Sequence, residues 1–186
     1  ITIEDVKYVL SLHYQGTAYD PYGHIGTPAT RGLYRPIGIN RNCQLAVLQI
    51  RPYVDEQHRA LQWIALGSNA FNALVPFFTQ VDKVPAYVSS TPKDVTTDSF
   101  YWANRLIGAM ADASYSACLP HVERYQEKLQ SEATRLVHAC DAEGGDPAAA
   151  NQAIADVARK RTDCLLGHVL FARSAEMKNA FSRSDN

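Results

Sequence analysis

The chain has 186 residues, 46% of them hydrophobic and 20% charged, which suits one folded domain and excludes a disordered chain. Its 18 Lys and Arg residues stand against 19 Asp and Glu. So even a balance gives no field for nucleic acid or an anionic membrane, and neither is an expected partner.

The chain starts at Ile1 without an initiating Met. Two readings stand open: a trimmed terminus, or a piece of a longer protein. Glu4, Asp5 and Lys7 leave no room for a secretory leader here, and no apolar run approaches the roughly 20 residues of a membrane span. Cys43, Cys118, Cys140 and Cys164 are scattered, with no metal-binding spacing, so reduced thiols in a cytoplasmic protein are expected.

In chain order, Thr2 and Asp5 form the pattern of a capping box. A short helix follows, with Val6, Val9, Leu10 and His13 on one face. Tyr14–Pro36 is a long irregular stretch with four tyrosines (14, 19, 22 and 34), read as a binding loop because aromatics are depleted in disordered segments. Ile37–Asn40 reads as a strand, followed by a turn at Arg41–Cys43. Gln44–Arg51 and Ala60–Leu66 form a hairpin with nearly apolar faces, as in a sheet covered on both sides. So few strands cannot build two layers, so a missing partner sheet is expected. Pro52–Arg59 is a polar turn, with His58 on the surface. Gly67–Phe78 leaves the sheet and ends in an apolar cluster, and 82–97 is a connecting loop.

Residues 98–186 read as a helical layer, and 1–97 as the sheet-containing part of the same structural unit. Asp98 is expected to cap a helix over Phe100–Ala113, and Pro120 to sit in the first turn of the next. Cys118, Val122, Tyr125, Leu129, Ala133, Leu136 and Cys140 form one stripe. After the break at Glu143–Pro147, Ile154, Val157, Ala158, Leu165, His168 and Phe171 form its match, giving a helical hairpin.

No local catalytic motif is present. Ser68 follows a strand but lacks the second glycine of a nucleophile elbow. His13 and His24 flank the loop without a third ligand, so no metal site is expected. Cys43 sits beside Arg41 with no histidine nearby in sequence, and reads as a turn residue rather than a nucleophile.

An ordered series of segments nevertheless resembles the bacterial dipeptidase D family: Tyr8–Tyr22 (YVLSLHYQGTAYDPY), Tyr34–Ile37 (YRPI), Gln49–Pro52 (QIRP), Trp63–Gly67 (WIALG), Leu74–Phe78 (LVPFF) and Ser99–Leu106 (SFYWANRL). The resemblance implies an α+β fold, part of an N-terminal-nucleophile αββα sandwich with antiparallel sheets. It also implies a cytoplasmic thiol peptidase acting on dipeptides without a cofactor. In that family the nucleophile is an N-terminal cysteine whose own α-amine handles protons. Ile1 has no thiol, so the resemblance implies that no catalytic residue lies in this chain, that its partner is its own N-terminal half, and that the chain alone is inactive. Substrate-binding candidates are Arg35, Tyr34, Asn40, Asn69 and Asn72. Arg35 is ranked first because a guanidinium can hold a dipeptide carboxylate with two parallel hydrogen bonds. Asn69 and Asn72 also suit a role in capping the turn. The alternative is a non-catalytic binding or homo-oligomerisation module using the helical tail and the uncovered sheet.

Overall fold

The computed structural model describes residues 1–178. Helix α1 (Ile3–Leu10) starts as the sequence suggests: Thr2 Oγ1 accepts from the Asp5 amide, and the Asp5 carboxylate accepts from the Thr2 amide. Its apolar face is only half used. Val6 and Leu10 are partly buried and His13, just beyond the helix, is buried, whereas Val9 is exposed.

From Ser11 to Cys43 the chain is irregular. Ile37–Asn40 is a turn rather than a strand. The Gly38 amide donates to the Leu12 carbonyl at 2.8 Å, and a Cβ on Gly38 would lie 2.5 Å from the Ser11 backbone. That contact binds the segment to the end of α1 and keeps it out of the sheet. Tyr14, Tyr19 and Tyr34 pack on one another, with ring centroids 4.8–6.4 Å apart.

The sheet is antiparallel, in the order β1 (Gln44–Ile50), β2 (Ala60–Leu66), β3 (Val75–Phe78). Val47 stands opposite Trp63, and Trp63 opposite Pro76. The apolar cluster expected at the end of 67–78 is thus a strand, and Pro76 is tolerated because β3 is an edge. The two outer strands differ. All four residues of β3 are buried, whereas Leu48 and Ile50 on the outward face of β1 are 74% and 67% exposed. The hairpin is therefore covered on one face along β1, not on both.

Three helices complete the fold: α3 (Phe100–Asp112), α4 (Tyr115–Glu143) and α5 (Pro147–Ser174), after a single helical turn, α2 (Ala86–Ser89). The N-cap of α3 is Ser99, whose hydroxyl donates to the Ser90 carbonyl, while Asp98 pairs instead with Arg159. α4 starts five residues before Pro120, so the proline lies inside it, where it denies the Ser116 carbonyl its amide donor. Asp146 caps α5, with Pro147 in the first turn.

The expected stripe on α4 holds except that Val137, not Leu136, is buried. On α5 the buried set is Pro147, Asn151, Ile154, Ala155, Ala158, Thr162, Leu165 and Val169, and Phe171 is 78% exposed. Two positions beyond Val169 amount to about 200° around a helix, which turns Phe171 to the opposite face, and His168, one position before Val169, lies about 100° to the side. α3, α4 and α5 all contact the sheet, and one hydrophobic cluster joins Leu61, Trp63 and Phe78 to Ile107, Leu129 and Ile154. The pattern is α+β. No described helix is long and apolar enough to cross a membrane.

Candidate functional site

The turn that follows β2 is held from both sides. Gly67 takes φ +84°, a left-handed conformation that disfavours any side chain, and a Cβ there would come within 3.3 Å of Asn104 on α3. The amides of Phe71 and Asn72 both donate to the Ser68 carbonyl at 3.0 Å. The Asn72 side-chain amide donates to the carbonyls of Leu66 and Gly67 at 3.1 and 3.0 Å. Asn69 donates to the Leu10 carbonyl at 3.2 Å. Asn69 and Asn72 are buried and shape this turn, in line with their capping role.

Between the turn and α3 lies a cleft of about 170 Å³, lined by Asn40, Ser68, Asn104, Arg105, Gly108, Ala109 and Asp112. Positions 104, 105, 108, 109 and 112 share one helical face. Asn104, Arg105 and Asp112 are the polar and charged residues of an otherwise apolar and aromatic helix, and all three line the cleft. The Ser68 hydroxyl is buried and has no hydrogen-bond partner. Buried polar atoms are usually paired, so an orphan in a residue that lines a cleft sets that residue apart from the rest of the turn. Arg105 forms no ion pair among the described residues. Asp112 accepts from the Tyr22 hydroxyl at 2.6 Å. Burial and this carboxylate both push the Tyr22 phenol well above its ordinary range, so it remains a donor.

Tyr22 connects the cleft to the loop. Its ring stacks on Tyr115 at 4.2 Å. The Tyr115 hydroxyl meets His13 Nε2 at 3.1 Å, and His13 Nδ1 meets the buried Asp20 carboxylate at 3.0 Å. Burial pushes the Tyr115 phenol up to about 12. His24 contacts Ser116 instead, so the two loop histidines do not converge. No group of three or more possible metal ligands occurs among the described residues.

Of the sequence candidates, Asn40 lies in the cleft. Arg35 and Tyr34 lie on the exposed part of the loop, with Tyr34 in the tyrosine cluster and the Arg35 carbonyl 3.5 Å from the Tyr14 hydroxyl. Arg105 and Asp112 were not singled out by sequence reasoning. The available signal was the small number of polar residues in the apolar run from Phe100 to Asp112.

A second constellation looks more like chemistry than it is. Cys140 Sγ lies 3.8 Å from His58 Nε2, and Asp141 Oδ1 lies 4.0 Å from His58 Nδ1. His58, expected at the surface, is 1% exposed. Its Nε2 is 2.9 Å from the Gly145 carbonyl, which requires that nitrogen to donate and so removes it as a base for the thiol. Burial raises the Cys140 thiol. Beside it, Arg51 Nη1 and Nη2 donate to the two Asp141 oxygens at 2.6 and 3.1 Å. This is a structural knot between the β1–β2 connection and the end of α4. Cys43 is exposed, with its sulfur 3.5 Å from the Arg41 carbonyl and no imidazole in contact.

The sequence profile of peptidase family C69 matches residues 1–128, which include every residue of the cleft. A dipeptidase of Bifidobacterium longum is 45% identical over 232 aligned residues, covering 100% of this chain and 44% of the relative. A probable dipeptidase A of Streptococcus pyogenes serotype M18 is 47% identical, covering 100% of the chain and 40% of the relative. A probable dipeptidase B of Lactococcus lactis is 33% identical, again with 100% and 40% coverage. The chain thus spans less than half the length of these relatives.

Proposed function

Because the chain belongs to peptidase family C69, we propose that it is the C-terminal portion of a cysteine dipeptidase, and that the cleft between the Gly67–Asn72 turn and α3 is its share of the active site. In this reading the enzyme is an N-terminal-nucleophile hydrolase whose cysteine lies upstream of Ile1. The thiolate attacks the peptide carbonyl, and the α-amine of the same residue carries the proton to the leaving amine.

The observation that carries the reading is the chemistry of the cleft: an unpaired guanidinium, a carboxylate and an unpartnered buried hydroxyl at the end of a strand. A dipeptide is a zwitterion with its charges at its two ends. Arg105 suits the free carboxylate, because its fork can make two parallel hydrogen bonds. Asp112 suits the ammonium. The two residues are seven positions apart, about 10 Å along the helix, and an extended dipeptide spans roughly 7 Å. In this reading Ser68 and Asn40 supply donors to the peptide oxygen as it gains charge. Arg35 and Tyr34 remain candidates from the loop, and Arg105 stands closer to the turn. The cleft's 170 Å³ is below the roughly 300–1,000 Å³ of complete ligand sites. That size suits one wall of a site whose other wall comes from the N-terminal half.

The exposed face of β1 supports the same partner. Leu48 and Ile50 present apolar surface where a second sheet would pack. The alternative, a homo-oligomerisation module, is favoured by the exposed Leu170 and Phe171 on α5. Light scattering on the full-length protein tests it.

The main test is activity and processing of the full-length protein. Expected are dipeptide hydrolysis, its loss on thiol alkylation, and a mature amino terminus that is cysteine by mass spectrometry. Hydrolysis that survives alkylation, or a different first residue, contradicts the reading.

A further inference from the structure

A lysine lies behind the cleft turn with no counterion among the described residues. Lys7 sits on α1 and lines a groove of about 700 Å³ between α1, the loop and α4. Glu4 on its own helix, His13 and Asp20 on the loop, and Tyr115, Glu123 and Glu127 on α4 line the same groove. None of these carboxylates forms an ion pair with Lys7 among the described residues.

Its amine instead donates to the Asn69 carbonyl and to Ser11 Oγ, the latter at 2.9 Å. Ser11 Oγ is itself 3.0 Å from the Asn69 carbonyl, and 2.7 Å from the Lys7 carbonyl. Asn69 adjoins Ser68, which lines the cleft and whose buried hydroxyl has no partner among the described residues. A chain of contacts therefore runs from the groove to the cleft through a single residue, Asn69. Desolvating an unpaired amine is costly, and a Met or Leu would pack against the turn without that cost.

We infer that Lys7 is a positioning residue: by donating to the Asn69 carbonyl, its amine fixes the turn that holds Ser68 in the cleft. The inference rests on the dipeptidase reading only for its kinetic consequence. Burial lowers the Lys7 amine to about 7, so its charge changes near neutrality. Burial disfavours the charged form, so the buried contact is tightest once the amine is neutral, and the turn is held more firmly above that pH than below it.

The test uses the full-length protein and the variants Lys7→Met and Lys7→Arg. Hydrogen exchange across residues 67–72 is read first. It should be faster in Lys7→Met, should retain protection in Lys7→Arg, and requires no activity. Next, kcat/KM for alanyl-alanine is followed from pH 6 to 9. Lys7→Met should lose about tenfold at pH 9, chiefly in kcat, as expected when a reacting geometry loosens. It should also lose the part of the rise through pH 7 that the Lys7 contact is expected to give the unmodified enzyme. Lys7→Arg, charged throughout, should keep activity and flatten that rise. Unchanged exchange in Lys7→Met overturns the inference, as does an unchanged pH profile in an active enzyme. Absence of dipeptide hydrolysis in the unmodified protein would sink the functional reading instead, and exchange would still decide the role of Lys7.

Discussion

The cleft beside α3 and the knot around His58 place similar groups together and treat them in opposite ways. In the knot, both Asp141 oxygens accept from Arg51, His58 donates to the Gly145 carbonyl, and Arg51 Nε is the donor left unpaired. In the cleft, Arg105 forms no ion pair and the Ser68 hydroxyl no hydrogen bond among the described residues. Groups that complete one another hold a fold together. Groups left incomplete at a cavity wall await something else. By that measure the Cys–His–Asp set at Cys140, His58 and Asp141 is structural, and the cleft, with no thiol or imidazole among its described lining residues, is the surface proposed for function.

Breaking the knot should have the largest effect on stability. Asp141→Ala leaves the buried Arg51 guanidinium without its anion, and should cost about 3 kcal/mol, read as a lower denaturation midpoint. Arg105→Ala should do the reverse: stability within about 0.5 kcal/mol of the original, with kcat/KM of the full-length enzyme down about 10- to 100-fold. An equal loss of stability in both variants would erase the distinction between the two regions.

Lys7 sharpens it through pH. Its amine titrates near 7 in the fold and near 10.5 in the unfolded chain. Between those values the unfolded chain holds a proton that the folded chain has released, so stability rises with pH across this window. Lys7→Met should flatten that rise in urea melts compared at pH 7 and 10. The smallest effect is expected at Ser68. Ser68→Ala removes an unpaired hydroxyl, so stability should be unchanged or up by about 1 kcal/mol, while dipeptide turnover falls. A marked loss of stability would show that the hydroxyl is already satisfied.

The parts of the fold with local causes were legible. The Thr2–Asp5 cap, the β1–β2 hairpin, the break at Glu143–Pro147 and most of the α4 stripe follow from neighbouring residues. The misses have long-range causes. His58 is buried because the end of α4, 87 residues on, meets its turn at Gly145. Asp98 forgoes capping because Arg159 is available. Gly38 leaves strand geometry because α1 lies against it. Phe171 is outward because α5 keeps its buried register through Val169. Within the proposed site, Asn40 was a sequence candidate as a polar residue at an expected strand end, and it lines the cleft although that strand is a turn. Arg105 was not, since its meaning depends on α3 packing its polar face against the Ser68 turn.

One measurement bears most directly on the cleft as the binding wall of a dipeptidase. It compares kcat/KM of the full-length enzyme for alanyl-alanine and for alanyl-alanine amide, which lacks the free carboxylate, before and after Arg105→Ala. The unmodified enzyme should favour the free acid by at least about tenfold, the worth of one charge-assisted contact, and Arg105→Ala should abolish that preference. A preference that survives the substitution intact would place the carboxylate elsewhere and contradict the account.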